Sequence, residues 1–298
     1  MSGTIPFVFG FDEEGKTITV DLAKESHISV FGPTASGKSV LLSNLMLSLT
    51  NYNSPSQVSV ILFDIRRSTY SSAFSSMPHV INYATDVESI AESLKNLASI
   101  VTKRLEILAD NGFISWDQFR SQLKRESYND VDYSNIFVVF DELTSTIAEA
   151  KASSKELYDS VNASLSSIAR TGHNAGIRLI SSSQKTSSDA IPKNIVMNSS
   201  FKLAFKPDER DYSVLGANKN NLPVLTEAGQ CLYISSGMAS ASTAHTVPPY
   251  LQGAAFTGHL KLAAEHWKAK QNITKPAEVV VENEEDFGVT WKKFLSSN

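Results

Sequence analysis

The stretch that decides the fold is Gly32-Pro33-Thr34-Ala35-Ser36-Gly37-Lys38-Ser39, followed by Val40. It fits the pattern G-x-x-x-x-G-K-[ST] without mismatch. An apolar run, Ile28 to Phe31, precedes it, and a segment of helical composition, Val40 to Leu49, follows it. The backbone N–H groups of such a loop and the N-terminus of the helix can surround phosphate groups. The stretch therefore predicts a nucleotide-binding loop at residues 32–40.

Two side chains of this loop have distinct predicted roles. Lys38 is expected to neutralise the β- and γ-phosphates of ATP, and the hydroxyl of Ser39 is expected to ligate Mg²⁺. The alternative is a chance glycine-containing loop, which the position between an apolar strand and a helix disfavours. The predicted substrate and cofactor are ATP and Mg²⁺.

A second motif follows the apolar strand Ile136 to Phe140, where Asp141 and Glu142 are adjacent carboxylates. Ligands of open α/β sheets bind at the edge where the strands end, so this pair is well placed for chemistry. Asp141 is predicted to hold the Mg²⁺ shell, and Glu142 to polarise the attacking water. Taken alone, the pair could equally be a solvated acidic turn.

A polar residue, Gln184, follows the next apolar strand, Ile177 to Ser181. Its position after the acidic pair in the chain predicts contact with the γ-phosphate or the attacking water. The alternative is an ordinary turn residue, because glutamine is common after strands.

Further apolar runs alternate with helical patterns, which predicts an α/β fold whose mainly parallel central sheet is covered by helices on both faces. The longest helical pattern runs between a capping signature at Thr85 and Glu88 and a stop at Asn111-Gly112. Other predicted strands are Val58 to Phe63, Phe201 to Phe205 and Gln230 to Ile234.

Three segments are predicted along the chain: an N-terminal β-hairpin at 1–25, a motor at 26–256 and a C-terminal part at 257–298. The motor has a polar, weakly periodic insertion at 113–133. The C-terminal part begins with a helix and continues as an acidic, core-poor tail, predicted to be flexible or to dock on a partner.

Composition restricts the compartment more than it restricts the function. The net charge is −4 and there is one cysteine, Cys231, which excludes an internal disulfide. No basic leader precedes an apolar run at the N-terminus, and no stretch approaches the roughly 20 apolar residues that span a bilayer. The chain is therefore expected in the cytoplasm without direct membrane insertion, and recruitment to a membrane complex would require a partner.

Several stretches in the same order resemble the FtsK/SpoIIIE branch of the FtsK–HerA ATPases. Ala175 to Gln184 is similar to the family stretch AGIHLILATQ. Asp141-Glu142-Leu143 is similar to the Walker B motif of the family, the acidic motif at the end of a strand. The other similar stretches are Ile18 to Ala23, Ser26 to Ile28, Val60 to Asp64, Met77 to Val80 with Thr85-Asp86, Val214 to Gly216 and Ala228 to Tyr233.

The resemblance implies a RecA-like P-loop NTPase that forms a homohexameric ring around double-stranded DNA, with ATP sites between subunits. Members often carry an arginine three residues before the glycine of the Ala-Gly pair, suited to act across that boundary. His173 occupies this place here. Arg170, three residues earlier, is the predicted substitute, and Arg210 is a weaker candidate. Each could equally be a surface side chain.

The DNA contacts are predicted at Arg66, Arg67 and Lys185, with a solvated face as the alternative. Neither the membrane-spanning region nor the basic winged-helix domain usual in chromosome-segregation members is predicted within these 298 residues. The resemblance therefore implies a stripped motor of a plasmid, conjugative element or virus. A DNA-recruiting protein such as a relaxase or another adaptor would direct it to its substrate.

The function predicted from the sequence is ATP-driven translocation of double-stranded DNA, in conjugative or plasmid transfer. Viral genome packaging is the nearest alternative. A secretion-type ATPase that acts on protein and a nucleotide-gated assembly protein that does not pump are the other two.

Overall fold

A computed structural model describes residues 4–122, 133–184, 191–218, 224–225, 227–248 and 253–274. These residues contain ten strands and nine helices. The strands are β1 (Pro6–Phe11), β2 (Thr17–Asp21), β3 (Ile28–Phe31), β4 (Val58–Phe63), β5 (Val80–Ala84), β6 (Asn135–Phe140), β7 (Ile177–Ser183), β8 (Phe201–Phe205), β9 (Gln230–Ile234) and β10 (Ser242–Thr246). The helices are α1 (Lys38–Tyr52), α2 (Thr69–Phe74), α3 (Val87–Asp110), α4 (Trp116–Gln122), α5 (Leu143–Ser153), α6 (Lys155–Thr171), α7 (Lys193–Asn198), α8 (Glu209–Val214) and α9 (Gly253–Thr274).

All ten strands form one sheet in the order β2-β1-β10-β9-β8-β3-β7-β6-β4-β5. The six strands from β8 to β5 are parallel to their neighbours. The other four are antiparallel, because β8 to β9, β9 to β10, β10 to β1 and β1 to β2 all pair in that sense. The N-terminal hairpin is therefore continuous with the sheet that carries the nucleotide loop.

Each face of the sheet has its own buried core, as the alternation of side chains along a strand requires. In β4, Val60 and Leu62 pack on one face, with α1, α2, α9 and the hairpin. Ile61 and Phe63 pack on the other, with α3, α5 and α6. The predicted α/β fold with helices on both faces is confirmed.

The ends of α3 show where local signals were and were not sufficient. Its stop is as predicted, since Asn111 is the C-cap and Gly112 has a φ of 72°. The predicted N-cap was wrong by one residue: Asp86, not Thr85, accepts the N–H of Ser89. An aspartate and a threonine are both good caps, and the first turn begins after the aspartate.

Part of the predicted insertion is a helix with a buried side. Trp116, at the start of α4, is 2% exposed, and its ring centroid lies 4.3 Å from the guanidinium carbon of Arg104. Its backbone N–H donates to Asn174 O, directly before β7. Residues 116–122 therefore support the start of a core strand.

Candidate nucleotide site

The loop between β3 and α1 has an unusual backbone that its small residues permit. Gly32, Ala35 and Gly37 all have positive φ, at 144°, 59° and 117°. A Cβ on Gly32 would lie 2.8 Å from Cβ of Phe205, so a larger residue would collide with β8. The loop is tied on its other side by the N–H of Gly229, which donates to Ser36 O.

The N-terminus of α1 is suited to an anion. The helix starts at Lys38 with no side-chain cap and no acidic residue in its first turn, so its first N–H groups and its dipole favour negative charge. The Lys38 ammonium is buried and donates to the carbonyls of Gly32 and Pro33. Burial lowers its pKa, and the nearby carboxylates of Glu142 and Asp141 oppose that effect.

Asp141 directly follows β6 and is held by a residue of α2. The hydroxyl of Tyr70 donates to its Oδ1 at 2.6 Å. Burial raises the pKa of Asp141, and the Tyr70 hydrogen bond lowers it. No side chain in the described ranges donates to the second oxygen, Oδ2. That oxygen, together with the exposed hydroxyl of Ser39 in the same pocket, is a donor set that Mg²⁺ accepts.

Glu142 is 6% exposed, and both of its carboxylate oxygens have partners. Its Oε1 accepts from the Thr144 hydroxyl and, at 3.3 Å, from the N–H of Gln184. Its Oε2 lies 3.6 Å from Nη1 of Arg66. The carboxylate is therefore oriented by α5, by the end of β7 and by the turn after β4.

These elements surround one cavity of about 330 Å³, a volume typical of small-molecule sites. The strand order explains the convergence, because β7 lies between β3 and β6 and ends beside both motifs. The lining residues are Pro33, Thr34, Ala35, Ser36, Gly37, Lys38, Ser39, Val40, Arg66, Asp141, Glu142, Ser182, Gln184 and Ala228.

The FtsK/SpoIIIE family model matches residues 1–188. The chain belongs to the FtsK/SpoIIIE family. The DNA translocase SftA of Bacillus subtilis is 28% identical over 234 residues, which are 76% of this chain and 23% of that protein. The DNA translocase FtsK of Campylobacter jejuni is 24% identical over 242 residues, 81% of this chain and 24% of that protein. The chain thus spans about a quarter of the length of these relatives.

Solved structures share the fold of this FtsK/SpoIIIE chain. The conjugation coupling protein TcpA of pCW3, solved with ATPγS, has a TM-score of 0.71 at 20% identity over 88% of this chain and 71% of its own. ATPases 2 and 3 of EssC from Geobacillus thermodenitrificans have a TM-score of 0.71 at 17% identity, over 99% of this chain and 55% of theirs. The chain therefore has the P-loop NTPase fold of the FtsK/SpoIIIE family.

The predicted residues of this FtsK/SpoIIIE member fall into two places. Every residue predicted for the nucleotide, the metal and the hydrolytic step in one subunit lines the pocket, except Gly32, whose carbonyl accepts from Lys38 at the start of the loop. Arg170 and His173 do not: they directly precede β7 and so lie at the opposite edge of the sheet, both exposed. His173 also lies beyond the end of α6, so it does not share a helical face with Arg170.

The predicted DNA-contacting residues also separate. Arg66 lies at the nucleotide pocket, while Arg67 is exposed beside it with a φ of 54°. Arg210 is exposed in the first turn of α8, after β8. Lys185 lies outside the described residues. Contact of Arg66, Arg67 or Lys185 with DNA stays a prediction, as does the role of Arg210 as the weaker candidate for the arginine that acts across a subunit boundary.

Sequence reasoning missed two contributors to the pocket. Tyr70 reaches Asp141 from a short helix that has no apolar periodicity, and Ser182 faces the cavity from within β7. The hydroxyls of Ser182 and Ser36 are buried without a hydrogen-bond partner among the described residues. Buried hydroxyls are normally paired, so these two are available to a ligand.

No helix in the described ranges is long and apolar enough to span a bilayer.

Proposed function

We propose that this chain is the ATP-hydrolysing motor of a ring-forming translocase of double-stranded DNA. One observation carries the proposal: a single cavity at the uncapped N-terminus of α1 is lined by Lys38, Asp141, Glu142 and Gln184. Relatives named DNA translocases, aligned over three quarters of the chain or more, support the choice of DNA as the substrate.

In the proposed reaction, the N–H groups of residues 32–39 and the first turn of α1 bind the phosphates of ATP. Lys38 neutralises the transferred phosphoryl group. Glu142 accepts the proton of the attacking water, a step typically worth about 10²–10⁴-fold in rate. Gln184 lies between the loop and Glu142, where its side chain can orient that water or contact the γ-phosphate.

Ser39 and Asp141 would hold Mg²⁺, which when bound supplies positive charge to the phosphates. The Tyr70 hydroxyl fixes one oxygen of Asp141 and leaves the other toward the cavity. The role of Tyr70 is thus to hold the carboxylate in one orientation.

Beyond the single subunit, we propose a homohexamer in which Arg170, or His173, completes the site of a neighbouring subunit. Both lie at the opposite edge of the sheet from their own pocket, so a role in hydrolysis would require them to act on a neighbouring subunit. We further propose conjugative or plasmid DNA as the substrate in the cytoplasm, delivered by a relaxase or another adaptor. TcpA, named a conjugation coupling protein, is a neighbour with this fold.

A secretion-type ATPase is the alternative of a different class. Its support is the fold of the type VII secretion ATPase EccC from Thermomonospora curvata, with a TM-score of 0.69 at 20% identity over 88% of this chain and 31% of that one. For that function, a peptide rather than DNA would stimulate hydrolysis.

The test measures ATP hydrolysis with and without linear duplex DNA for the wild type, Lys38→Ala and Glu142→Gln. We expect DNA to raise the wild-type rate, Lys38→Ala to lose ATP binding, and Glu142→Gln to bind ATP while losing about 10²–10⁴-fold in turnover. Absence of DNA stimulation in a preparation that forms rings would reject the translocase. Wild-type turnover by Glu142→Gln would reject the assigned base.

A further inference from the structure

Arg66 belongs to a turn whose geometry is fixed by a buried carboxylate. After β4 ends, Oδ2 of Asp64 accepts the N–H of Ser68 at 2.6 Å and its hydroxyl at 2.8 Å. The N–H of Arg67 donates to the carbonyl of Asp64. This turn brings Arg66 to the wall of the nucleotide cavity, beside Glu142.

The guanidinium of Arg66 connects two elements of the site. Its Nη1 lies 3.6 Å from Oε2 of Glu142, and its Nε donates to the hydroxyl of Ser145 at 3.1 Å. Ser145 is in the first turn of α5, three residues after Glu142. One planar side chain therefore spans the turn after β4 and the start of the helix that follows the acidic pair.

Arg66 is the partner of the one carboxylate oxygen that α5 and β7 do not hold. Thr144 and the N–H of Gln184 both donate to Oε1 of Glu142, so they fix one side of the group. The charge of Lys38 also interacts with Glu142 from across the cavity. Arg66 supplies a second positive charge, at Oε2, that competes with this attraction.

The ion pair is poorly suited to stabilising the fold. The Glu142 side chain is 5% exposed, but that of Arg66 is 50% exposed, so water screens the 3.6 Å pair. Glu142 keeps its hydrogen bonds from Thr144 and Gln184 when Arg66 is removed. Its removal should therefore leave a folded protein in which the orientation of Glu142 is the main change.

We propose that Arg66 is a positioning residue that holds Glu142 where it can accept the proton of the attacking water, rather than a group that contacts DNA. This inference rests on the proposed role of Glu142. Without Arg66, the carboxylate relaxes toward Lys38, and small displacements of a reacting group can cost about 100-fold in rate.

The experiment compares Arg66→Ala, Arg66→Lys and a matched control, Lys24→Ala, in the full chain without DNA. Lys24 forms a similar exposed ion pair of 3.8 Å with Asp21, away from the pocket. We expect Arg66→Ala to lower kcat by about 10–100-fold, with the ATP Kd changed less than about 3-fold. Arg66→Lys should be intermediate, because an ammonium keeps the charge but not the planar fork. Lys24→Ala should match the wild type.

A double variant separates positioning from direct contact with the phosphates. If Arg66 acts through Glu142, Arg66→Ala should cause no further loss of residual hydrolysis in the Glu142→Gln background. A loss of the same size in that background, or one confined to ATP Kd, would overturn the proposal in favour of phosphate binding. A defect that appears only when DNA is added would overturn it in favour of DNA contact.

The remaining outcomes distinguish this inference from the function on which it rests. If Glu142→Gln is impaired and Arg66→Ala has wild-type kcat, the positioning role alone is rejected. If Glu142→Gln turns over at the wild-type rate, both the assigned base and the positioning role are rejected.

Discussion

The two edges of the parallel part of the sheet treat buried polar groups in opposite ways. At the edge where the strands end, Ser36 Oγ, Ser182 Oγ and Asp64 Oδ1 are buried without hydrogen-bond partners among the described residues. At the edge where the strands begin, the buried Arg178 donates to the carbonyls of Ala23 and Glu25 and pairs with other side chains.

This difference indicates that the carboxyl edge serves ligand binding and the amino edge serves the stability of the fold. Unpaired buried polar atoms are unfavourable in the ligand-free protein, and the hydroxyls of Ser36 and Ser182, which line the pocket, can be satisfied by a phosphate. At the opposite edge the paired network of Arg178 gives rigidity and has little to offer a ligand, although Nδ1 of His79 there is buried without a hydrogen-bond partner among the described residues. Substitutions at the first edge should therefore change the binding of ATP and Mg²⁺. Substitutions at the second edge should change the free energy of unfolding.

Arg178→Met should have the largest effect on stability. The substitution leaves the carbonyls of Ala23 and Glu25 and Oδ1 of Asn135 without their donor, and it removes the 3.3 Å ion pair with Asp117. Breaking a buried, hydrogen-bonded charge pair costs about 3 kcal/mol or more. Urea unfolding should show that loss.

The matched control for this change is Arg170→Met, an exposed arginine near the same edge, which should alter the free energy of unfolding by less than about 0.5 kcal/mol. Folded Arg178→Met should retain the wild-type ATP Kd. Weaker ATP binding with unchanged stability would contradict the division between the two edges.

Stability should also fall in mild acid because of two histidines that precede strands at the amino edge. Burial lowers the pKa of His27 and of His79 from 6.5 to about 4. The unfolded chain therefore takes up protons below about pH 6.5 that the folded chain refuses until about pH 4. Their contribution is complete above that window and is lost as the pH falls through it, by about 2 kcal/mol per histidine at pH 5.

Unfolding free energies at pH 7 and pH 5 measure this effect, and His27→Gln should remove its half of the difference. His245→Gln, at an exposed histidine, serves as the control. If His27→Gln kept the full pH dependence, the burial of a neutral His27 would not be its source.

At the carboxyl edge, Tyr70→Phe should act on the metal and not on the fold. The change removes the hydroxyl that donates to Oδ1 of Asp141, and loss of such a supporting hydrogen bond typically weakens metal binding by about 10-fold. The Mg²⁺ concentration for half-maximal hydrolysis should rise accordingly while Tm is retained. An unchanged Mg²⁺ requirement would show that Asp141 does not need this support.

The sequence was most informative where structure is local. β3 and β4 begin and end as predicted, because each is an uninterrupted buried run. β5 and β10 were not predicted: β5 is only partly buried at the edge of the sheet, and β10 has the polar sequence Ser-Thr-Ala-His-Thr. β10 lacks the apolar pattern that identifies a strand, and in β5 Asn82 interrupts a run of only five residues.

The pocket was predictable in its motifs and not in its supporting contacts. The loop and the acidic pair are contiguous patterns with a known mechanism. Tyr70 and Asp141 are 71 residues apart, and Arg66 and Ser145 are 79 apart, so their meeting depends on β4 and β6 being neighbours. That strand order is a property of the whole sheet, which no local pattern specifies.

Arg170 provides the prediction with the smallest expected effect on a single subunit. It is exposed at the amino edge, so Arg170→Ala should leave Tm and the ATP Kd of the isolated chain nearly unchanged. If it acts across a subunit boundary, rings made only of Arg170→Ala subunits should nevertheless hydrolyse ATP slowly, because each pocket lacks its neighbour's charge.

Mixing gives the decisive measurement, because Lys38→Ala subunits have a defective pocket and an intact Arg170. In mixed rings, a competent boundary joins an Arg170→Ala pocket to a Lys38→Ala neighbour. Random one-to-one assembly places such a pair at about a quarter of the boundaries. Two preparations that are each inactive should therefore regain activity together. No recovery in rings shown to exchange subunits would exclude Arg170, and the same mixture with His173→Ala would then test the other candidate at this edge.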